Sequence, residues 1–110
     1  MSEKRITDPE TGGMKGRKDE RFDLLPWTAM EDVARVYGMG AEKYEDWNWA
    51  KGYDWSLSLG AAFRHMAAFG AGEDTDPESG LPHPAHAVFH MLALITFMQT
   101  HPDGDDGWRP

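Results

Sequence analysis

The sequence predicts an all-α fold: three main helices in a small bundle completed by oligomerisation, with an extended N-terminal arm. Three observations predict it. Apolar residues recur at three- and four-residue spacing in two segments, a third segment is apolar almost all round, and no segment shows a clear alternating strand pattern. At 110 residues the chain fits one domain, in the size range where small folds benefit from association.

Residues 1–21 form a polar N-terminal arm with a Gly12-Gly13 pair and no periodicity, expected to be extended or mobile. The helical domain spans 22–100. Its first helix starts after Pro26, because Trp27, Met30, Val33, Ala34, Tyr37, Ala41 and Tyr44 repeat along one face. A second stripe, Glu31, Arg35, Gly38, Glu42 and Glu45, lies beside that face and brings carboxylates to its edge. The segment DWNWAKGYD, 46–54, is rich in turn formers and aromatics, and Asp54 is a candidate N-cap.

The second helix begins near Trp55 and ends at Gly70 or Gly72, with Trp55, Leu59, Ala62, Phe63, Met66 and Phe69 as its expected core face and His65 on the rim. Asp76-Pro77 and Ser79-Gly80 signal turns, and Pro84 suits the start of a third helix over His83 to Gln99. That helix is apolar on nearly every side. Burying it in a chain with two other helices calls for a wall from another subunit. Residues 101–110 are a polar tail expected to fray, with His101 in solvent.

Cysteine is absent, which excludes disulfides and zinc-thiolate sites. No signal-like apolar run opens the chain, and the longest apolar stretch, 85–98, is short of the ~20 residues a membrane span needs. A cytoplasmic protein without membrane attachment is expected. Eleven basic and nineteen acidic residues give a net charge of −8, which argues against a nucleic acid polymer as partner. The charge is uneven: residues 1–21 carry six cations against five anions, and the rest carries five against fourteen. An acidic body that handles an anion needs a bound cation to invert its local potential. Acidity that only maintains solubility is the alternative.

The densest chemistry lies in GEDTDPESGLPHPAH, 72–86, with four carboxylates and two histidines between apolar segments. Glu73 and Asp76 form a Glu-x-x-Asp pair just after a helix, a spacing that lets both reach one cation, and carboxylate clusters select Mg2+ or Mn2+. The stretch reads equally as an acidic surface loop ahead of a helix. Asp74 and Glu78 are expected to face solvent. His83, His86 and His90 share a helix face, and His65 approaches the same loop from the second helix. Each is a ligand, a phosphate contact or a structural histidine. Lys43, Tyr44, Asn48, Trp49 and Lys51 combine cations, an amide and aromatics, a composition for holding a base and phosphates or for sealing a connection. Lys15, Arg17, Lys18 and Arg21 are a phosphate-reading arm or a solvated tail. Phosphate loops, dinucleotide fingerprints and serine elbows are absent from the sequence.

Three ordered blocks, GGMKGRKDERFDLLPW, GAEKYEDWNWAKGYDWS and RHMAAFGAGEDTDPESGLPHPAHAVFHMLAL, together resemble the phage dATP/dGTP diphosphohydrolase family. That family is MazZ-like and stands near the MazG-type all-α nucleotide pyrophosphatases. The resemblance covers about residues 12–98. It implies an enzyme that hydrolyses a purine deoxynucleoside triphosphate to the monophosphate and pyrophosphate, using Mg2+ or Mn2+ in a helical homodimer or homotetramer.

By position the resemblance implies Glu31, Glu73 and Asp76 as metal ligands. It puts Lys43, Tyr44, Asn48 and Trp49 in a GAxKYxxxNW-like block, and Arg64, His65, His83 and His86 in RH and HxxH blocks. Lys15 and Lys18 join the substrate-binding set, while Lys43 and Arg64 stabilise phosphate charge beside the catalytic Glu73 and Asp76. MazG-type acids sit within helices, whereas Glu73 and Asp76 follow a helix end, so ligand details differ. Two alternatives are a non-enzymatic nucleotide- or metal-binding module and another metal phosphohydrolase working through the histidines.

Overall fold

A computed structural model describes residues 4–107. The first three residues of the arm and the last three of the tail, 1–3 and 108–110, lie outside the described residues. Three α-helices dominate: α1 (Trp27–Lys43), α2 (Trp55–Gly70) and α3 (His83–Thr100). The all-α expectation holds, and α3 packs against both other helices, most extensively against α2. No helix among the described residues is long and apolar enough to cross a membrane.

The arm is extended, as expected, and it is paired into a hairpin that no alternating pattern in the sequence signals. β1 (Lys4–Thr7) and β2 (Met14–Arg17) pair antiparallel, with Lys4 opposite Arg17 and Thr7 opposite Met14. Asp8 closes the hairpin by accepting from the backbone of Glu10 and Thr11, both at 2.9 Å, and Gly12 takes the left-handed turn position at φ 77°. Both strands are mostly exposed, so no apolar alternation marks them in the sequence. The chain's radius of gyration is 18.4 Å, against about 13 Å for a compact chain of this length. Its long dimension is 53 Å.

Val33 and Val36 of α1 meet Ala85 of α3 in the core, with Tyr37, Leu81, Phe89 and Leu92 packed around them. Small residues set the α2–α3 contact. Ser58, Ala61 and Ala62 are buried on α2, and Ala87, Ala93 and Phe97 on α3. This corrects the expected core face of α2, because Leu59, Phe63, Met66 and Phe69 are 40–58% exposed. Short side chains let the two backbones approach, and the long apolar ones turn outward. On α3 a matching row, Val88, Met91, Ile95 and Met98, is also exposed. The wall expected from another subunit would cover these rows.

The described part of the tail, 101–107, is folded onto α2, not frayed. Asp54 occupies the N-cap position, yet its side chain caps nothing. Asp106 does that work, accepting from Ser56 N at 2.9 Å and Ser56 Oγ at 2.5 Å. Trp55 Nε1 donates to His101 O at 3.0 Å. His101 is half-buried, not in solvent: its ring packs on Phe97 and against Gly52, where φ is 91° and a Cβ would stand 2.5 Å from the imidazole.

Candidate functional site

The loop between α2 and α3 is an ordered structure. Gly72 and Gly80 adopt left-handed φ values of 101° and 73°, and Thr75 bridges Pro82. Asp76 N donates to Leu81 O at 2.8 Å, and His83 N donates to Asp74 O at 3.0 Å. These bonds fold the acidic strip back over the start of α3. Asp76 is thereby turned inward and half-buried, whereas Glu73, Asp74 and Glu78 stay exposed.

Four histidines converge beside it. His65 stacks on His86 with ring centroids 4.5 Å apart and planes 8° from parallel, and His90 follows at 6.3 Å from His65. His65 Nδ1 lies 2.9 Å from His83 Nδ1. His83, 3% exposed, meets Glu73 Oε1 through Nε2 at 2.6 Å. His86 Nε2 meets Ser79 Oγ at 2.7 Å and stands 3.9 Å from Asp76 Oδ2.

Burial holds three of the imidazoles, those of His65, His86 and His90, toward their neutral forms. His90 is pushed down to about 4, first by burial and then by His65 and His86 nearby. Burial likewise lowers His65, helped by His86, and lowers His86 against the attraction of Asp76. For Asp76 burial acts upward, but the backbone N–H and side chain of Ser79 outweigh it and hold the carboxyl below its usual range.

His65, Asp76 and His83 each offer one ligand atom, and these atoms all lie within 4.8 Å of one another. Two imidazoles and a carboxylate fit a divalent transition ion, and the Glu73–His83 bond supplies the outer carboxylate that such sites use to fix ring orientation. The donor set therefore suits a metal.

A cleft of about 860 Å³ opens beside this group. Lys43, Tyr44, Asn48, Trp49, His65, Asp76, His86 and His90 all line it, so the structure brings together these candidates singled out in the sequence. The remaining candidates stand elsewhere. Glu73 and His83 lie behind the cleft wall, joined to it through His65. Glu31 is on the exposed face of α1, 3.7 Å from Arg35. Arg64 is exposed on α2 and does not line the cleft. Lys15 lies on β2 with Nζ donating to Gly16 O, and Lys18 follows that strand; neither lines the cleft.

Sequence reading passed over several participants. Ser79 positions both Asp76 and His86. Tyr37, Tyr53 and Phe89 line the cleft, and Ser58 ties Tyr53 to His90 from within the α2–α3 contact. A serine on the inner face of an apolar helix was the available signal for Ser58. Ser79 carried none beyond its turn propensity.

Comparison with known proteins adds to this geometry. A family described as "dATP/dGTP diphosphohydrolase, N-terminal" matches residues 9–107. A curated protein of Salmonella phage PMBT28, named dATP/dGTP diphosphohydrolase, is 36% identical over 76 residues, covering 69% of this chain and 26% of that protein. The chain spans about a quarter of the length of that relative. No solved structure matches the chain.

Proposed function

The chain belongs to the dATP/dGTP diphosphohydrolase N-terminal family, and from that premise we propose that its cleft performs metal-dependent hydrolysis of a purine deoxynucleoside triphosphate to the monophosphate and pyrophosphate. The observation that carries this reading is the convergence of His65, Asp76 and His83 at one edge of a cleft whose other walls bear Lys43, Asn48 and aromatic rings.

In this reading His65, Asp76 and His83 would hold a divalent ion, which would supply Lewis-acid activation of water and of the phosphoryl group. Glu73 fixes the His83 ring through Nε2. Lys43 lines the cleft beside the triphosphate and offsets its charge. His86, neutral and held by Ser79, takes a proton from the attacking water. Glu31, Arg64, Lys15 and Lys18 have no assigned step within a single chain. Imidazole ligands favour Mn2+ over Mg2+.

The same histidine-rich donor set favours one second reading, a phosphohydrolase that cleaves elsewhere on the triphosphate. Phosphorus NMR of products from each deoxy- and ribonucleoside triphosphate with Mn2+ separates the two. Pyrophosphate from dATP or dGTP is the expected product. Tripolyphosphate or orthophosphate would establish the second reading, and binding without turnover would leave a nucleotide-binding module.

A further inference from the structure

Ser58 is a polar side chain sealed between α2 and α3, at 0% exposure. Its Oγ lies 2.6 Å from Tyr53 Oη and 2.9 Å from His90 Nδ1, and both partners line the cleft. Among the described residues no partner meets His90 Nε2, and no buried polar side-chain atom lacks a partner. Nε2 therefore opens on the cleft.

Its surroundings are aromatic. Phe89 meets the His90 ring edge-on at 5.0 Å, and Tyr37 stands 4.7 Å from Phe89 and 5.7 Å from Trp49. His90 and His83 are seven residues apart on α3, or about 10 Å along the axis. The His65 ring stands nearer, 6.3 Å from that of His90, so the metal-competent group and His90 flank one end of the cleft, an arrangement that suits a ligand with phosphates at one point and a flat heterocycle at the other.

We propose that His90 reads the edge of the purine base, and that Ser58 lets it present either a donor or an acceptor there. This rests on the cleft being the nucleotide site. In one arrangement Tyr53 donates to Ser58, Ser58 donates to His90 Nδ1, and Nε2 carries the proton toward a 6-oxo group. In the other, His90 Nδ1–H donates to Ser58 and Ser58 donates to Tyr53, which leaves the Nε2 lone pair for a 6-amino group. Both arrangements satisfy Ser58 twice, and neither adds or removes a proton. A hydroxyl that reverses its bonds thus admits both guanine and adenine, two bases whose 6-positions have opposite polarity.

Ser58→Ala tests the device. Without Ser58 a proton on Nδ1 becomes a buried donor with no acceptor, so the Nε2–H form prevails and the adenine nucleotide is disfavoured. The ratio of kcat/KM for dGTP over dATP should rise about tenfold or more, a difference worth one lost hydrogen bond. Nitrogen-15 NMR of His90 supplies a second reading that tolerates a weakened variant: wild-type protein bound to nonhydrolysable analogues of dATP and dGTP should show opposite imidazole tautomers. A ratio unchanged within about twofold, or the same tautomer in both complexes, overturns the proposal. Wild-type protein that neither binds nor hydrolyses either nucleotide removes the function proposed above and this inference with it. Turnover of both nucleotides without the shift removes the inference alone.

Discussion

His65 and His83 point the same ring nitrogen at each other, Nδ1 to Nδ1, at 2.9 Å. Two lone pairs that close repel, so either a proton or a cation must lie between them. Glu73 accepts from His83 Nε2, which leaves His83 Nδ1 as the lone-pair nitrogen, the form a metal requires. Asp76, turned inward by the Ser79 turn, brings a carboxylate oxygen to the same two imidazoles.

Glu73→Gln tests the outer carboxylate. The amide weakens the hold on His83, so Mn2+ affinity should fall about 10- to 100-fold, with a parallel loss of turnover at limiting metal. Metal titration by calorimetry, with activity at low and saturating Mn2+, checks it. Unchanged affinity would show that Glu73 is only a surface acid.

Mild acid should destabilise the fold through its buried histidines. His90 titrates near 4 when folded, where burial disfavours its charged form, and near 6.5 when unfolded. Between those values the unfolded chain binds more protons, so stability present above about pH 6.5 is lost as pH falls toward 4. Burial lowers His65 and His86 as well, which steepens the loss. Urea midpoints measured at pH 7 and pH 5 should differ, with the lower value at pH 5. Equal midpoints would refute the buried, neutral state.

Phe97 carries the junction between the aromatic loop and α3. It is 0% exposed and meets the rings of Trp49, Tyr53 and His101 at 5.1–6.2 Å. Phe97→Ala should cost about 3–5 kcal/mol, read as a lowered denaturation midpoint, and loosen the cleft wall that Trp49 and Tyr53 form. A loss below about 1 kcal/mol would mean that the junction repacks freely.

The outward apolar rows of α2 and α3 predict self-association as a homodimer or homotetramer. None of Phe63, Met66, Met91, Ile95 or Met98 lines the cleft, and all are more than a third exposed. Ile95→Glu should shift the protein toward monomer in light scattering while leaving its helix content unchanged. A wild-type protein that is monomeric at every concentration would contradict the expectation.

The helices were legible because Pro26, Pro84 and the glycines bound clear apolar patterns. The direction of α2 was not. Hydrophobicity alone points Leu59, Phe63 and Met66 inward, whereas the close approach of α3 is set by Ser58, Ala61 and Ala62, whose small size carries little weight in an apolar pattern. At the site, the acids and histidines were visible as a composition. Which of them meet depends on the Thr75–Pro82 bridge and the Ser79 turn, and these turn Asp76 inward while leaving Glu73 outside. The hairpin and the Asp106 cap rest on local polar bonds that leave no hydrophobic period.

The most direct test of the proposed centre is Mn2+ binding to wild-type protein and to Asp76→Asn and His65→Ala variants, followed by electron paramagnetic resonance with a nonhydrolysable dGTP analogue present. The account predicts tight Mn2+ binding in the wild type, weakened at least 100-fold in each variant whose circular dichroism shows an intact fold. Mn2+ bound equally well by folded variants would contradict it and place the ion on other side chains.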